Sequence, residues 1–319
     1  MQQRRLGTTE FMATPLAFGG NVFGWTADEP TSFALLDAFV ASGGNLIDTA
    51  DAYSRWVSGH TGGESETIIG RWIARRGRHD DVVIATKVGS DMGLGRKYLG
   101  RDYILRAAED SLRRLQIETI DLYQSHWDDA TTPFEETLEA YARLIKDGKV
   151  KAIGASNLDA GRLAQALAVS DATHLPRYAT LQPHYNLLER ASFEGPLQEL
   201  CVREGIGVIT YFSLASGFLT GKYRSHADLG KSARGGGMAK HLTPRGHAIL
   251  TALDQTSERL SATPAQVALA WLMTRPSVVA PIASATNVAQ LEELMAATQL
   301  TLDAKALADL DEASAPQVP

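Results

Sequence analysis

Four side chains in this 319-residue sequence have the types and spacing to move a proton. Asp48 lies in N-L-I-D-T-A and Tyr53 five residues on, in A-D-A-Y-S; Lys87 ends V-V-I-A-T-K, and His126 falls in I-D-L-Y-Q-S-H-W. Taken singly, each has an ordinary structural use. An aspartate after a strand caps a turn, a tyrosine there packs the rim, and a histidine can be a hydrogen-bonded core residue. The lysine is harder to dismiss, because an ammonium in an apolar strand needs a partner, and Asp48 on the neighbouring strand can supply one. Convergence of all four at adjacent strand ends points to an activated phenol. A free tyrosine ionises near pH 10, so a nearby ammonium is expected to lower that value while the aspartate keeps the lysine charged. A histidine beside the phenol would orient a carbonyl or hydroxyl oxygen. Such a group protonates a developing alkoxide but supplies no hydride, so a cofactor is required.

Positioning these residues requires an alternating fold. Short β-branched runs are expected to be strands at Leu16–Gly20, Asn45–Ala50, Val82–Val88, Ile120–Trp127, Ala152–Asn157, Tyr178–Asn186, Gly207–Leu214 and Val278–Ser284. Amphipathic segments separate them: Ser32–Ser42, Ser65–Arg76, Asp102–Leu115, Pro133–Lys146, Ala160–Ala168, Phe193–Glu204, Pro264–Thr274 and Val288–Ala297. Eight strand–helix units favour a closed α/β barrel, a (β/α)8 TIM barrel, over an open doubly wound sheet. Barrel enzymes keep their chemistry at the C-terminal ends of the strands, where the four residues fall. Residues 1–15 read as a hairpin and Leu302–Ala313 as an extra C-terminal helix, within a single domain over 1–319. The loops after the second and seventh strands, 54–64 and 215–245, are unusually long. The run G-L-G-R-K-Y-L-G at 93–100 has the wrong spacing for a dinucleotide-binding glycine motif and reads as a loop.

The whole chain resembles the aldo-keto reductase family. The resemblance rests on D-T-A-D-A-Y at 48–53, A-T-K at 85–87, S-H at 125–126, G-A-S-N at 154–157, Q-P-H-Y-N at 182–186 and Y-F-S-L-A-S-G-F-L-T-G-K-Y at 211–223. It implies a barrel oxidoreductase using a nicotinamide dinucleotide, usually NADPH. It further implies that Tyr53 is the general acid–base, Asp48 and Lys87 its tuning pair, and His126 the substrate-orienting group. Ser156, Asn157 and Gln182 would hold the carboxamide and Tyr211 would stack on the nicotinamide ring. Ser213, Leu214, Gly217, Leu219 and Lys222 would line the pyrophosphate. The 215–245 loop either closes over the dinucleotide or is a flexible surface loop.

Two departures stand out. Relatives commonly read P-I-P-G-A-R-N and then Q-L-E-E-N near the end; here the segments are P-I-A-S-A-T-N and Q-L-E-E-L, with Thr286 for the arginine and Leu294 for the asparagine. Ser284, Gln290 and Glu293 remain expected adenosine contacts. Loss of the arginine weakens the case for a 2′-phosphate, so NADP(H) is expected with NAD(H) not excluded, and Arg234 is the candidate replacement. The second departure, the added stretch after Tyr53, brings Trp56 and His60 toward the mouth; with Trp25 and Trp127 they form a candidate substrate rim.

A small carbonyl or alcohol compound, such as an aldehyde, ketone or sugar, is the expected substrate. Two rivals are a Schiff-base aldolase built on Lys87 and a non-catalytic nucleotide-sensing subunit. The net charge of −6 speaks against a nucleic-acid backbone binder. The histidines lack metal-site spacing, so no metal is expected, and no apolar run is long enough to span a membrane. With no signal peptide visible, the single cysteine, Cys201, fits a reducing, cytoplasmic setting.

Overall fold

The computed structural model describes residues 2–316; Met1 and residues 317–319, which the single-domain reading of 1–319 includes, lie outside them. Strands β1 (Arg4–Arg5) and β2 (Met12–Ala13) pair antiparallel as a hairpin. The barrel strands follow as β3 (Ala17–Gly19), β4 (Leu46–Asp48), β5 (Val83–Val88), β6 (Ile120–Ser125), β7 (Val150–Ser156), β8 (Thr180–Gln182), β9 (Gly207–Thr210) and β10 (Val278–Ala283). They pair in sequence order, and β10 closes on β3. Every barrel pairing is parallel. The chain is thus a closed eight-stranded parallel barrel of the (β/α)8 type.

The outer layer is α1 (Glu29–Ala41), α2 (Glu64–Arg76), α3 (Arg101–Leu115), α4 (Phe134–Lys146), α5 (Ala160–Thr173), α6 (Pro196–Glu204), α7 (Pro244–Leu260), α8 (Pro264–Met273), α9 (Val288–Ala296) and α10 (Ala304–Ala313). Their starts follow local chemistry. Asp28, Asp159, Thr243, Thr263, Asn287 and Asp303 each accept a backbone N–H of the first turn of α1, α5, α7, α8, α9 and α10, which removes donors the helix itself cannot satisfy. One large apolar core fills the space between the barrel and the helices, and includes Trp72, Tyr123, Tyr141 and Trp271. A smaller one, from Leu6 and Ala13 through Leu46, Ala85 and Ile209, plugs the barrel interior beneath the hairpin. Gly7 makes that plug possible. Its φ is +60°, and a Cβ there would lie 1.9 Å from the Ala179 carbonyl oxygen.

Two strands stop earlier than their apolar runs suggest. Pro183 ends β8 because it has no N–H to offer, leaving only an isolated bridge between His184 and Tyr211. Beyond β9, Phe212 turns to φ +51° and the Ser213 hydroxyl bonds back to the Thr210 carbonyl at 3.0 Å. Both interruptions free side chains to face the barrel mouth. Helix α7, which strand–helix alternation did not mark, follows the long loop and packs on α8 and α10.

Candidate active site

Strand ends β4, β5 and β6 bring Asp48, Lys87 and His126 together with Tyr53 from the turn after β4. Lys87 and Asp48 are fully buried, at 0% and 1% exposure. The Lys87 ammonium donates to Asp48 Oδ2 at 2.7 Å, to the Thr49 carbonyl at 2.8 Å and to the Tyr53 hydroxyl at 2.9 Å. Those three contacts use all of its hydrogens. The Tyr53 hydroxyl in turn donates to Asp48 Oδ2 at 3.1 Å.

Burial and the Asp48 carboxylate hold the Tyr53 phenol well above the usual tyrosine range. This reverses the expected lowering. Asp48 contacts the phenol directly, and the unfavourable carboxylate contact together with desolvation prevails. The resting hydroxyl is therefore protonated, as a proton donor must be. Burial pulls the Lys87 ammonium below its ordinary value, with Asp48 opposing that pull. His126 is held neutral: burial, then the charges of Lys87 and Lys97, push its imidazole well below the usual range. Its ring lies 6.0 Å from the Tyr53 ring, edge to face. The Nδ1 atom is 2.9 Å from the Ser90 hydroxyl, which fixes the ring and leaves Nε2 as its other polar atom.

A second polar layer lies across the mouth. Ser156 Oγ donates to the Gln182 carbonyl at 2.7 Å, and Asn157 Nδ2 donates to the His126 carbonyl at 2.8 Å. Tyr211 donates its hydroxyl to Asn157 Oδ1 at 2.7 Å while His184 stacks on its ring, 5.2 Å away and inclined by 20°. Gln182 Nε2 donates to Asp48 Oδ1 at 2.8 Å, so this residue ties the second layer to the proton-transfer group. Ser213 is turned inward onto Thr210. Gly217 and Leu219 both give their amides to the Leu214 carbonyl, so the turn consumes those two donors itself. The Lys222 side chain folds over Gly217, where a Cβ would lie 3.2 Å from the ammonium.

The 215–245 segment is built from three short 3-10 turns, Ala215–Thr220, His226–Lys231 and Gly235–His241. Buried Phe218, Leu219 and Met238 of the turns, with Tyr223 between the first two, pack the segment down. Gly235 is part of that packing, because a Cβ there would meet the Leu229 carbonyl oxygen at 1.9 Å; Gly236 and Gly237 face open space. The segment carries Arg234 onto Trp25, 5.0 Å from its ring centre. With the Asn21 amide turned to satisfy both neighbours, its oxygen accepts from Arg234 Nη2 at 2.6 Å and its nitrogen donates to Ser284 Oγ at 2.7 Å. Arg234 therefore reaches the β3 loop and, through Asn21, the end of β10. Farther along, Thr286 bonds Gln290 Oε1 through its amide and hydroxyl, Glu293 is half-buried on α9, and Leu294 belongs to the core.

Of the rim residues, Trp25 and Trp56 meet edge to face at 5.6 Å, and Trp56 reaches the Tyr53 ring at 6.1 Å. Trp127 stacks on His126 at 5.8 Å. His60 bonds back to its own loop, with Nδ1 3.2 Å from the Ser54 carbonyl, and its ring lies beside Gly24, the neighbour of Trp25. Sequence reasoning missed Ser90, Asn21 and Gln124, whose Oε1 is 3.4 Å from Gln182 Nε2. Only Gln124 left a signal, as a polar residue spaced two from His126 along a buried strand.

A nicotinamide dinucleotide fits this arrangement. Tyr211 is backed on one side by His184, Asn157 Oδ1 and Ser156 Oγ keep acceptor capacity for an amide N–H, and Lys222 and Arg234 have no carboxylate partner among the described residues. Two unneutralised cations beside a polar strand-end platform suit a pyrophosphate.

Fold and site together define a (β/α)8 barrel with a buried tyrosine–lysine–aspartate cluster at its C-terminal mouth. The sequence model described as the Aldo/keto reductase family matches residues 15–315, and the chain belongs to that family, whose members are NAD(P)H-dependent oxidoreductases. It is 34% identical to an uncharacterized oxidoreductase, YrpG, of Bacillus subtilis over 98% of this chain and 95% of that one. It is also 34% identical to the aldo-keto reductase YhdN of Bacillus subtilis, covering 92% and 86% of the two chains. A probable voltage-gated potassium channel subunit beta of Arabidopsis thaliana is 32% identical, with 94% and 92% covered.

Proposed function

We propose that this protein uses NADP(H) to reduce the carbonyl group of a small aldehyde, ketone or sugar, or to oxidise the corresponding alcohol, with Tyr53 as the general acid–base. The observation that carries the reading is the Tyr53 hydroxyl held between the Lys87 ammonium and the Asp48 carboxylate, and raised so that it keeps its proton. The bound cofactor supplies the hydride. Ser156 and Asn157 orient its carboxamide, Tyr211 presents the free face of its ring, and Lys222 with Arg234 holds the pyrophosphate. His126 Nε2 positions the substrate oxygen beside Tyr53. As negative charge develops on that oxygen, Tyr53 gives up its proton to it and Lys87 stabilises the phenolate left behind.

Lys87 is poorly suited to the aldolase alternative, since a Schiff-base nucleophile must be a neutral, unencumbered amine. The reading as a nucleotide-sensing subunit draws support from the channel-subunit relative. Consumption of NADPH or NADH with a panel of aldehydes, ketones and sugars decides between them; absence of turnover across the panel would favour the sensor. NADP(H) is chosen over NAD(H) as the family's usual cofactor, with Thr286 standing where relatives carry the arginine suited to a 2′-phosphate. Fluorescence titration should give a lower Kd for NADPH than for NADH, and equal or reversed values would remove that preference. The lone buried Cys201, its thiol pushed up to about 12 by burial, is unreactive and suits the cytoplasm.

A further inference from the structure

We propose that Lys97 makes this site selective for carbonyl compounds whose far end carries a carboxylate, an inference that rests on the reductase reading above. Lys97 belongs to the loop between β5 and α3, on the opposite side of the mouth from the β7–β10 residues suited to the dinucleotide. Its ammonium lies 3.7 Å from the centre of the Trp127 ring, and Trp127 is stacked on His126 with an interplanar angle of 16°. The cation therefore stands one aromatic layer out from the group that positions the reacting oxygen.

Among the described residues nothing pairs with it. Lys97 has no carboxylate partner among the described residues, whereas the neighbouring acids are all engaged. Asp91 accepts the amides of Gly93 and Gly95 at 2.9 and 3.0 Å. Asp128 is paired with Arg162, and Asp129 accepts from the Leu99 amide and the hydroxyls of Thr131 and Thr132. Arg55, of the loop after β4 and bonded to the Asp91 carbonyl, and Arg96, lying over Tyr98, are further cations nearby. Trp127 itself is the apolar surface between the cation and His126, and Trp56, which is 52% exposed, adds a second beside Tyr53. A substrate with a flat or apolar body places that body against these walls and its carboxylate at Lys97, whose ammonium retains its donors because it meets only a ring face.

The test compares 4-carboxybenzaldehyde with its methyl ester, using the NADPH complex. Wild-type enzyme should favour the acid by about two- to fivefold in kcat/KM, the scale of one partly solvent-exposed charge pair, with the difference carried by KM. Lys97→Ala should abolish that ratio, Lys97→Glu should invert it and Lys97→Arg should keep it. The wild-type ratio should shrink in about 1 M salt, where charges are screened beyond about 3 Å. A ratio unchanged in Lys97→Ala would overturn the inference. Tryptophan fluorescence titration of the same complexes separates this from the reductase reading. Lys97-dependent preference for the acid in binding, without turnover of either compound, would defeat the reductase reading and leave the anion site standing. Equal binding of acid and ester defeats the anion site whatever the turnover.

Discussion

A phenol that donates to a carboxylate and accepts from an ammonium keeps its proton until a stronger acceptor arrives. Tyr53 is in that position, and the sequence alone did not show how close Asp48 would come to its hydroxyl. The buried Lys87–Asp48 pair is costly to break and cheap to remove whole. Lys87→Met leaves an uncompensated carboxylate and should lower stability by about 3–5 kcal/mol in urea denaturation. Adding Asp48→Asn should recover most of that loss without restoring activity; a double variant no more stable than Lys87→Met would mean the two side chains are not coupled. Asp51, two residues before Tyr53, is a different case. Burial, then the charge of Glu66, pushes its carboxyl up to about 8, and its Oδ1 has no hydrogen-bond partner among the described residues. A carboxyl with a folded-state pKa raised above its unfolded value of about 3.9 loses folded-state stability as pH climbs between the two values. Asp51→Asn should therefore gain on the wild type from pH 5 to pH 8. A stability difference that does not vary across that window would contradict this.

At the scale of elements, the segment between β9 and α7 is the most consequential, because it delivers Arg234 to Asn21 and Trp25. Gly235 has no room for a methyl group beside the Leu229 carbonyl. Gly235→Ala should displace Arg234 and raise the Kd for NADPH several-fold, while the melting temperature of the cofactor-free protein changes little. An unaltered Kd would show that the segment does not position Arg234. The order and type of the barrel strands were legible because each is a short apolar run between turn residues, and because the motif residues fall at their ends. Helix α7 was not. Its apolar positions, Ile249, Leu250 and Leu253, are sparse and follow a glycine-rich stretch, so the Thr243–Pro244 start signal was passed over. The contacts of Asn21 with Arg234, of Ser90 with His126 and of Gln182 with Asp48 join residues 36 to 213 positions apart. No local pattern encodes them. The folding back of His60 onto Ser54 depends on a loop conformation that composition does not specify.

Across the whole molecule, length and charge take on a definite meaning. The residues beyond a minimal barrel supply the plugging hairpin, the long segments over the mouth, and the α7–α10 layer that anchors one of them. Within the modest acidity of the chain, three cations have no carboxylate partner among the described residues, Lys222 and Arg234 on one side of the mouth and Lys97 on the other. Among the described residues no helix is long and apolar enough to cross a membrane. This distribution suits an enzyme that gathers an anionic cofactor and a polar carbonyl compound over one buried acid–base group. The most direct test of that claim is Tyr53→Phe, assayed for NADPH affinity and for turnover on the best substrate of the panel. Removing one acid–base group should leave the Kd for NADPH within about twofold and slow turnover by roughly a hundred- to ten-thousandfold. Near-normal turnover in that variant would contradict the account.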